Sequence, residues 1–236
     1  MHSYSTQIKA LPDLTPFEAE GMLALYKSLY VLPDCDIFRK DLAAKNEVLL
    51  LRAGQDLVGF TTIQTYLFPF QGSQRRIVFS GDTVVHRDHW GQQALARAWI
   101  ARMGRLYREQ PDCPLYWFLV VKGHRTFRFL PAFCVRFHPH WATFTPDLKA
   151  LADALALDHF GADYDPESGL VRYPESHGHL NPEIAQPNEA ERRFPAVSFF
   201  LEKNPGYLKG HEMVCLFEFT EEAMRPLTHR IFRGEG

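Results

Sequence analysis

The stretch from Arg76 to Gln110 limits what this chain can fold into more than any other. A run of β-branched and apolar residues, RIVFSGDTVV (76–85), meets a polar turn and then enters a long segment rich in Ala, Arg and Leu. This order predicts a strand, a tight loop and the N-terminus of a helix. Unpaired backbone N–H groups and the positive end of the helix dipole meet in such a loop, so it can hold a phosphate or a carboxylate.

The residues before this stretch predict two helices and a β-hairpin. Thr15, Pro16 and Glu18 form the sequence signature of a capping box at the start of a helix over 15–30. A second amphipathic helix is predicted from IFRKDLAAK (37–45). The apolar period then changes to that of strands over 47–70, with a turn at 54–56, so that three sequential antiparallel strands form a meander.

The residues after this stretch alternate between apolar runs and polar loops. PLYWFLVVKG (114–123) predicts a strand covered on both faces, which a crossover helix would place parallel to the strand beginning at Arg76. Aromatic residues over 126–140 predict a helix interrupted at Pro131 or two short irregular pieces, and 147–160 predicts a further helix. A long surface loop is predicted over 160–195, followed by closing strands and a short C-terminal helix.

Composition restricts the class of protein. At 236 residues with 46% hydrophobic residues, the chain is long and apolar enough for a substantial core. A formal charge of −2 argues against a dedicated nucleic-acid-binding protein, because neutralising phosphates needs a basic surface. We expect a soluble cytoplasmic protein, since there is no run of about 18 apolar residues and no signal-peptide pattern at the N-terminus. Its four cysteines lack C-x-x-C spacing and are expected to be reduced.

The order of elements over about 47–135 resembles the GNAT superfamily of acyl-CoA N-acyltransferases. In that family an acyl-CoA motif follows the fourth strand, with the form Gln or Arg, two residues, Gly, one residue, then Gly or Ala. VVHRDHWGQQALARAWI (84–100) is similar to it, although the register is open and either Gln92 or Gln93 takes the place of the central Gly. A residue with ordinary helical torsions can still offer its N–H to a phosphate, so this departure weakens the motif without removing its chemistry.

The resemblance implies a fold and an activity. The expected fold class is α/β (α+β), with a GNAT-like mixed, mostly antiparallel central sheet flanked by helices. A single domain over 1–236 would comprise a core (about 13–140), an insertion (about 141–195) that could cover an acceptor pocket, and closing strands with a tail (196–236). The expected activity is acyl transfer from acetyl-CoA, a longer acyl-CoA or an acyl carrier protein to a small-molecule amine by direct attack, without a metal, nucleic acid or membrane.

The resemblance also implies positions for the acyl-CoA. Divergence of the fourth and fifth strands of the family would free backbone N–H groups for the pantetheine arm, and the pyrophosphate would lie on the following loop. Trp90 would cover the adenine or the pantetheine, or else anchor the loop against the core. The residues expected to contact the acyl-CoA in this way are Thr83, Val84, Val85, Trp90, Gly91, Gln92, Gln93 and Ala94.

Two positions are candidates for acid–base chemistry. Asp82 interrupts an apolar strand just before the loop, so it is either a general base with a raised pKa or a solvated residue in a β-bulge. His124 and Arg125 follow a predicted strand end, where ligands collect in α/β sheets. His124 could donate a proton and Arg125 could hold a phosphate or an acidic acceptor, or both could cap the sheet edge in solvent.

Two other classes of function stay open. The altered motif and the lack of a late Tyr, which in the family protonates the leaving thiolate, would suit a non-catalytic acyl-CoA-binding or regulatory module. Two H-x-H pairs, at 138 and 140 and at 177 and 179, would suit a metal-dependent hydrolase. No Cys pair or H-E-x-x-H helix accompanies them, so no metal site is assigned.

Overall fold

The structure is a computed structural model that describes residues 3–32 and 34–235. The strands are β1 (Tyr4–Ala10), β2 (Tyr30–Val31), β3 (Glu47–Ala53), β4 (Asp56–Phe70), β5 (Ser73–Val85), β6 (Leu115–Val121), β7 (Tyr164–Asp165), β8 (Leu170–Val171), β9 (His179–Leu180) and β10 (Glu212–Glu218). The helices are α1 (Pro16–Leu29), α2 (Cys35–Ala43), α3 (Ala94–Glu109), α4 (His124–Phe127), α5 (Phe129–Phe133), α6 (Pro146–Phe160), α7 (Pro182–Ala185), α8 (Glu189–Arg192), α9 (Pro195–Lys203) and α10 (Pro226–Arg233).

An eight-stranded sheet organises the described part of the chain. Its strand order is β1-β3-β4-β5-β6-β10-β8-β7, and the small strands β2 and β9 pair separately. Neighbouring strands run antiparallel except β5 and β6, which are parallel and joined through α3. The predicted fold class, a mixed and mostly antiparallel sheet flanked by helices, is therefore confirmed, as is the parallel placement of β5 and β6.

Side chains that alternate along the strands build a core on each face of the sheet. On β6, Trp117 and Leu119 face one way, toward the cluster that includes α3 and α10. Phe118 faces the other way, toward α6. That second face is also covered by α1 and α2, which pack on β3 and β4 through a separate cluster that includes Leu50 and Phe60. Two groups of helices, α1 with α2 and α6, thus share one face of the sheet.

Elements that local sequence patterns predicted in the first part of the chain are present. Thr15 accepts the backbone N–H of Glu18, and the Glu18 carboxylate accepts the N–H of Thr15, which completes the capping box of α1. The predicted meander is present as β3, β4 and β5. An edge strand that the sequence pattern did not indicate, β1, pairs with β3.

The second half of the chain differs more from expectation. The helix predicted over 126–140 is two short helices, α4 and α5, so the chain is divided as in the alternative prediction, but the pieces are helical and Pro131 lies within α5. The predicted loop over 160–195 contains short elements, and β7 and β8 extend the main sheet. The prediction that closing strands begin at 196 is wrong, because Pro195–Lys203 is helix α9. Pro195 stands in the first turn, and Ala196, Val197 and Phe200 share its buried face at helical spacing.

The described residues contain no helix with the length and apolar character that crossing a bilayer would require.

Candidate functional site

A β-bulge interrupts β5 where the sequence places Gly81 and Asp82. The pairing with β4 passes from Thr61 opposite Thr83 directly to Ile63 opposite Ser80. Thr62 on β4 therefore faces two residues of β5, Gly81 and Asp82. A bulge of this kind bends a strand and redirects its side chains, and such bulges are common beside active sites.

The parallel strands β5 and β6 separate at the same point. Their pairing ends at Ser80 opposite Leu119, although β5 continues to Val85 and β6 to Val121. Beyond Ser80 no strand of residues 3–32 or 34–235 lies along the second edge of β5. An opening between two strands of a sheet leaves backbone N–H groups free to bind a ligand.

The alternation of backbone groups decides which N–H groups face this opening. The N–H of His86 donates to the carbonyl of Val58 on β4 over 2.8 Å. Since residues alternate along an antiparallel strand, the N–H of Val84 also points at β4, where Val84 lies opposite Phe60. Thr83 and Val85 consequently direct their N–H groups at the open edge. Of the three donors expected here, Val84 is the one turned away.

Asp82 lines a large cavity on the face that the two groups of helices share. The cavity has a volume of about 560 Å³ and lies between α1 and α2 on one side and α6 on the other. Segments of the expected insertion close it, since Phe160, Asp163, Tyr173 and His177 belong to its lining. The aromatic side chains that line this Asp82 cavity are Tyr26, Tyr30, Phe38, Phe79, Phe160 and Tyr173.

Two ion pairs flank Asp82 in this cavity. Lys45 Nζ lies 2.7 Å from Asp41 Oδ1, and Lys122 Nζ lies 3.1 Å from Glu212 Oε1. The side chains of Lys45 and Glu212 are almost fully buried, which makes a charged partner necessary for each. The carboxylate of Asp82 has no hydrogen-bond or ion-pair partner among the described residues.

The surroundings of Asp82 favour its protonated form. The pKa of Asp82 is raised to about 7, first by burial and then by the nearby carboxylates of Asp41 and Glu212, while Lys122 and Lys45 act in the opposite direction. The side chain is half-buried, with one side open to the cavity. A carboxylate with a pKa near neutrality can accept a proton from an amine and release it again, which is what a general base needs.

A smaller apolar crevice lies on the opposite face of the sheet, beneath α3. It has a volume of about 60 Å³, and its lining includes Ser80, Val85, Trp99 and Trp117. Thr83 lines both this crevice and the Asp82 cavity, and its hydroxyl lies 2.8 Å from that of Thr61. The two hollows therefore meet at the split between β5 and β6, next to the bulge.

The loop between β5 and α3 presents free backbone donors. Gly91 has φ of +88° with open space around its Cα, a backbone conformation that favours glycine. Among the described residues, the N–H groups of Gln93, Ala94 and Ala96 have no hydrogen-bond partner. The N–H of Leu95 is occupied, because the side chain of Gln92 accepts it over 3.1 Å. Gln92 thus caps the helix from one of the two positions that correspond to the central Gly of the motif that the sequence resembles.

Trp90 is fixed over the end of β5 and remains half-exposed. Its indole N–H donates to the carbonyl of Val85 over 2.8 Å. The guanidinium of Arg125 lies 4.8 Å from the centre of the Trp90 ring and 3.1 Å from the carboxylate of Glu191. Arg125 also donates to the carbonyl of Ile184. The residues after β5 and after β6 therefore meet across the split.

His124 is buried away from Asp82. Its ring is 1% exposed, and Nε2 lies 3.6 Å from a carboxylate oxygen of Glu191. Burial lowers the pKa of His124, and the neighbouring Arg125 lowers it further. It is not among the residues that line the Asp82 cavity. The structure therefore does not bring the two predicted catalytic side chains together, and the idea that His124 caps a solvated sheet edge does not fit its burial either.

One histidine of each H-x-H pair stacks on an aromatic ring. His140 stacks on Trp141 and accepts the backbone N–H groups of Ala142 and Thr143. His177 stacks on Tyr173 at 3.7 Å between ring centres. Within residues 3–32 and 34–235, no group of three or more His, Cys, Asp or Glu side chains is placed to hold a metal ion.

Several residues of the Asp82 cavity were not indicated by the sequence. Lys122 and Glu212 stand at the end of one apolar strand and the start of another, and a charged residue at each place was the available signal. Tyr26 and Tyr30, four residues apart at the end of α1, stack at 4.3 Å. Their meeting with α6 and the insertion depends on tertiary packing, which no local pattern contains.

Comparison with known proteins gave matches among solved structures only. Neither a family model nor a curated protein matches the chain. An acyl-CoA N-acyltransferase from Pseudomonas aeruginosa is 20% identical, with 56% of this chain and 88% of that chain covered and a TM-score of 0.41. A ribosomal-protein-alanine N-acetyltransferase from Brucella melitensis is 20% identical, with 61% and 98% covered and a TM-score of 0.43.

A probable N-acyltransferase from Enterococcus faecalis is 13% identical, with 57% of this chain covered and a TM-score of 0.42. This chain spans about a third of the length of that protein, since the match covers 33% of it. Each of these three proteins is named as an N-acyltransferase or an N-acetyltransferase. At these identities and scores the likeness concerns part of the fold, and function has to be inferred from the residues of this chain.

Proposed function

We propose that this protein is an N-acyltransferase of GNAT type, which transfers an acyl group from acyl-CoA, or from an acyl carrier protein thioester, to an amine. One observation carries the proposal: Asp82, unpartnered and with a raised pKa, stands on a bulge where a large cavity and a crevice meet at a split in the sheet. The arrangement offers an amine site on one face and a thioester site on the other.

Backbone groups and the loop would hold the acyl donor. The pantetheine arm would lie in the crevice beneath α3, with the N–H groups of Thr83 and Val85 toward it. Pyrophosphate would lie on the free donors of Gln93, Ala94 and Ala96, where the helix dipole is favourable. Trp90 and Arg125, which contact each other, would lie against the same end of the cofactor.

The reaction would need few side chains. Asp82 takes one proton from the ammonium form of the acceptor and passes it to solvent, and the neutral nitrogen then attacks the thioester carbonyl carbon. The C–S bond breaks, and the second proton that the nitrogen loses leaves by way of Asp82. A backbone N–H at the open edge of β5 stabilises the charge that develops on the carbonyl oxygen. A free thiol has a pKa of about 8.5, so the coenzyme A thiolate can leave and take its proton from water without a dedicated acid. The products are an amide and coenzyme A.

Calorimetry tests the binding half of this proposal. We expect free coenzyme A, acetyl-CoA and a longer acyl-CoA to bind the purified protein. We expect Arg125→Ala to weaken the binding of coenzyme A about tenfold or more, because hydrogen bonds to a charged group contribute about 1.5–3 kcal/mol. Arg193→Ala, in which an exposed arginine of the insertion is removed, serves as the matched control. A protein that binds none of these thioesters, nor coenzyme A, would refute the proposal.

A second candidate function is an acyl-CoA-binding or regulatory module without turnover. The observation that favours it is the bond between Gln92 and the N–H of Leu95, which takes one helix donor away from a phosphate. Such a module would bind coenzyme A thioesters and release no thiol when amines are supplied. The unpartnered Asp82 in a large cavity has no role in that function, and for this reason we place acyl transfer first.

A further inference from the structure

Aromatic rings form the walls of the Asp82 cavity to an unusual extent. Tyr26 of α1 and Tyr30 of β2 stack at 4.3 Å with an interplanar angle of 20°. In the insertion, Tyr173 and His177 stack at 3.7 Å with an interplanar angle of 18°. His159 lies 4.7 Å from the ring of Phe79, which belongs to β5. Rings from α1, from the sheet and from the insertion therefore face one hollow, which is a setting that binds flat aromatic groups well.

The charges in the same cavity favour a cation. The lining contains the carboxylates Asp41, Asp82, Asp163 and Glu212 but only two lysines, Lys40 and Lys122. Asp41 and Glu212 are neutralised by their ion pairs. Asp82 and Asp163 have no such partner among the described residues, whereas Lys40 is exposed to solvent. The charge that no ion pair neutralises is thus that of Asp163 and of Asp82 in its ionised form, and aromatic faces also attract ammonium groups.

We infer that the acceptor is a small primary amine carried on an aromatic ring by a short chain, with its ring between the aromatic walls and its nitrogen at Asp82. This inference rests on the proposed acyl transfer for its chemistry and on the cavity for its substrate class. A volume of about 560 Å³ is within the range of small-molecule sites, so the ring and its chain fit without a change in the sheet.

A matched pair of amines tests the substrate class without turnover. 2-Phenylethylamine and 2-cyclohexylethylamine have the same charge, the same chain and similar size, but only the first has a π-system. We expect calorimetry with the coenzyme A complex to show that the phenyl compound binds about five- to tenfold more tightly, since ring contacts add about 0.5–1.5 kcal/mol beyond apolar burial. Equal binding of the pair, or tighter binding of spermidine than of either, would overturn the inference.

A variant connects this preference to the insertion. We expect Tyr173→Leu to reduce the phenyl-to-cyclohexyl ratio to about two or less, because it removes an aromatic wall and keeps an apolar one. Phe17→Leu is the control, since Phe17 is 86% exposed on α1 and should leave the ratio unchanged. Thermal unfolding of both variants shows whether the fold is kept. A ratio unaltered by Tyr173→Leu in a folded protein would contradict the assigned site.

The outcomes separate this inference from the proposed function. Selective binding of the aromatic amine without thiol release from acyl-CoA would leave the site standing and refute acyl transfer. Thiol release with aliphatic amines alone would support acyl transfer and refute the aromatic acceptor.

Discussion

The indole N–H of Trp90 and the carbonyl oxygen of Val85 lie 2.8 Å apart, which ties the loop before α3 to the open edge of β5. Trp90→Phe keeps a ring beside Arg125 and removes this hydrogen bond. We expect the affinity for coenzyme A to fall about three- to tenfold, because a hydrogen bond of this kind contributes about 0.5–1.5 kcal/mol. Calorimetry measures the change, with Trp141→Phe, at another partly exposed tryptophan, as the control. Unchanged affinity in Trp90→Phe would show that the bond does not position the loop.

The pH dependence of turnover should follow the ionisation of Asp82. The base must be deprotonated, and burial raises its pKa to about 7, so we expect kcat/KM to rise as pH increases through about 7. In Asp82→Asn this rise should disappear together with most of the activity. The charged or titratable groups that share the cavity with Asp82 or shift its pKa are Tyr26, Tyr30, Lys40, Asp41, Lys45, Lys122, His159, Asp163, Tyr173, His177 and Glu212.

The same shift has a consequence for stability with a defined sign. A carboxyl group whose pKa is higher in the folded state binds a proton that the unfolded chain has already lost, so it destabilises the fold as pH rises from about 4 to about 7. We expect Asp82→Asn to be more stable than the parent protein at pH 8, and the difference to shrink at pH 5. Urea unfolding at the two pH values measures it. A variant less stable at pH 8 would mean that burial does not penalise the carboxylate.

The cap formed by Gln92 should limit the affinity of the loop for phosphate. Gln92→Gly frees the N–H of Leu95 and places glycine at one of the two positions where the family motif has it. We expect coenzyme A to bind a few times more tightly, with a small loss of thermal stability from the lost cap. Gln93→Gly distinguishes the two registers, because the side chain of Gln93 makes no capping hydrogen bond: tighter binding by this variant alone would place the Gly of the motif at position 93. Weaker binding by Gln92→Gly alone would show that Gln92 itself contacts the ligand.

Helix α3 should tolerate no side chain at Gly104. A Cβ there would overlap the backbone carbonyl of Phe232 in α10, which cannot move aside as a side chain can. We expect Gly104→Ala to lower the free energy of unfolding by about 1–3 kcal/mol despite the better helix propensity of Ala. Gly21→Ala in α1 is the control, since its Cβ would meet only the mobile Leu57 side chain at 3.2 Å. Urea unfolding of both variants measures the difference, and Gly21→Ala should be as stable as the parent protein or more stable.

Patterns with a local cause predicted the fold well in the first half of the chain. The capping box at Thr15 and the strand, loop and helix over 76–110 depend on neighbouring residues, and each is found in place. Helix α9 was missed because VSFFLEKN reads as a short apolar run, whose period alone does not distinguish a strand from a buried helix. Pro195, the first residue of α9, was the signal for a helix start.

The site could be predicted only in part, for a physical reason. Asp82 was found because a charged residue interrupts an apolar strand, and the structure gives it both the bulge and the raised pKa that were set out as alternatives. The ion pair of Lys122 with Glu212 joins residues 90 positions apart, and the stacked pair Tyr173 and His177 belongs to an irregular segment. Long-range packing brings these residues together, so the local sequence does not predict their contacts.

The most direct measurement is the rate of thiol release from acetyl-CoA at pH 8 with and without a panel of primary amines. We expect release by the parent protein to depend on the amine and to yield the amide. We expect Asp82→Asn to be slower by about a hundredfold or more with unchanged binding of coenzyme A, because general-base catalysis contributes about 10²–10⁴ in rate. Asp163→Asn, which removes the other unpaired carboxylate of the cavity, should keep most of the turnover. No amine-dependent release by a protein that binds coenzyme A, or equal rates for the parent and Asp82→Asn, would contradict acyl transfer through Asp82.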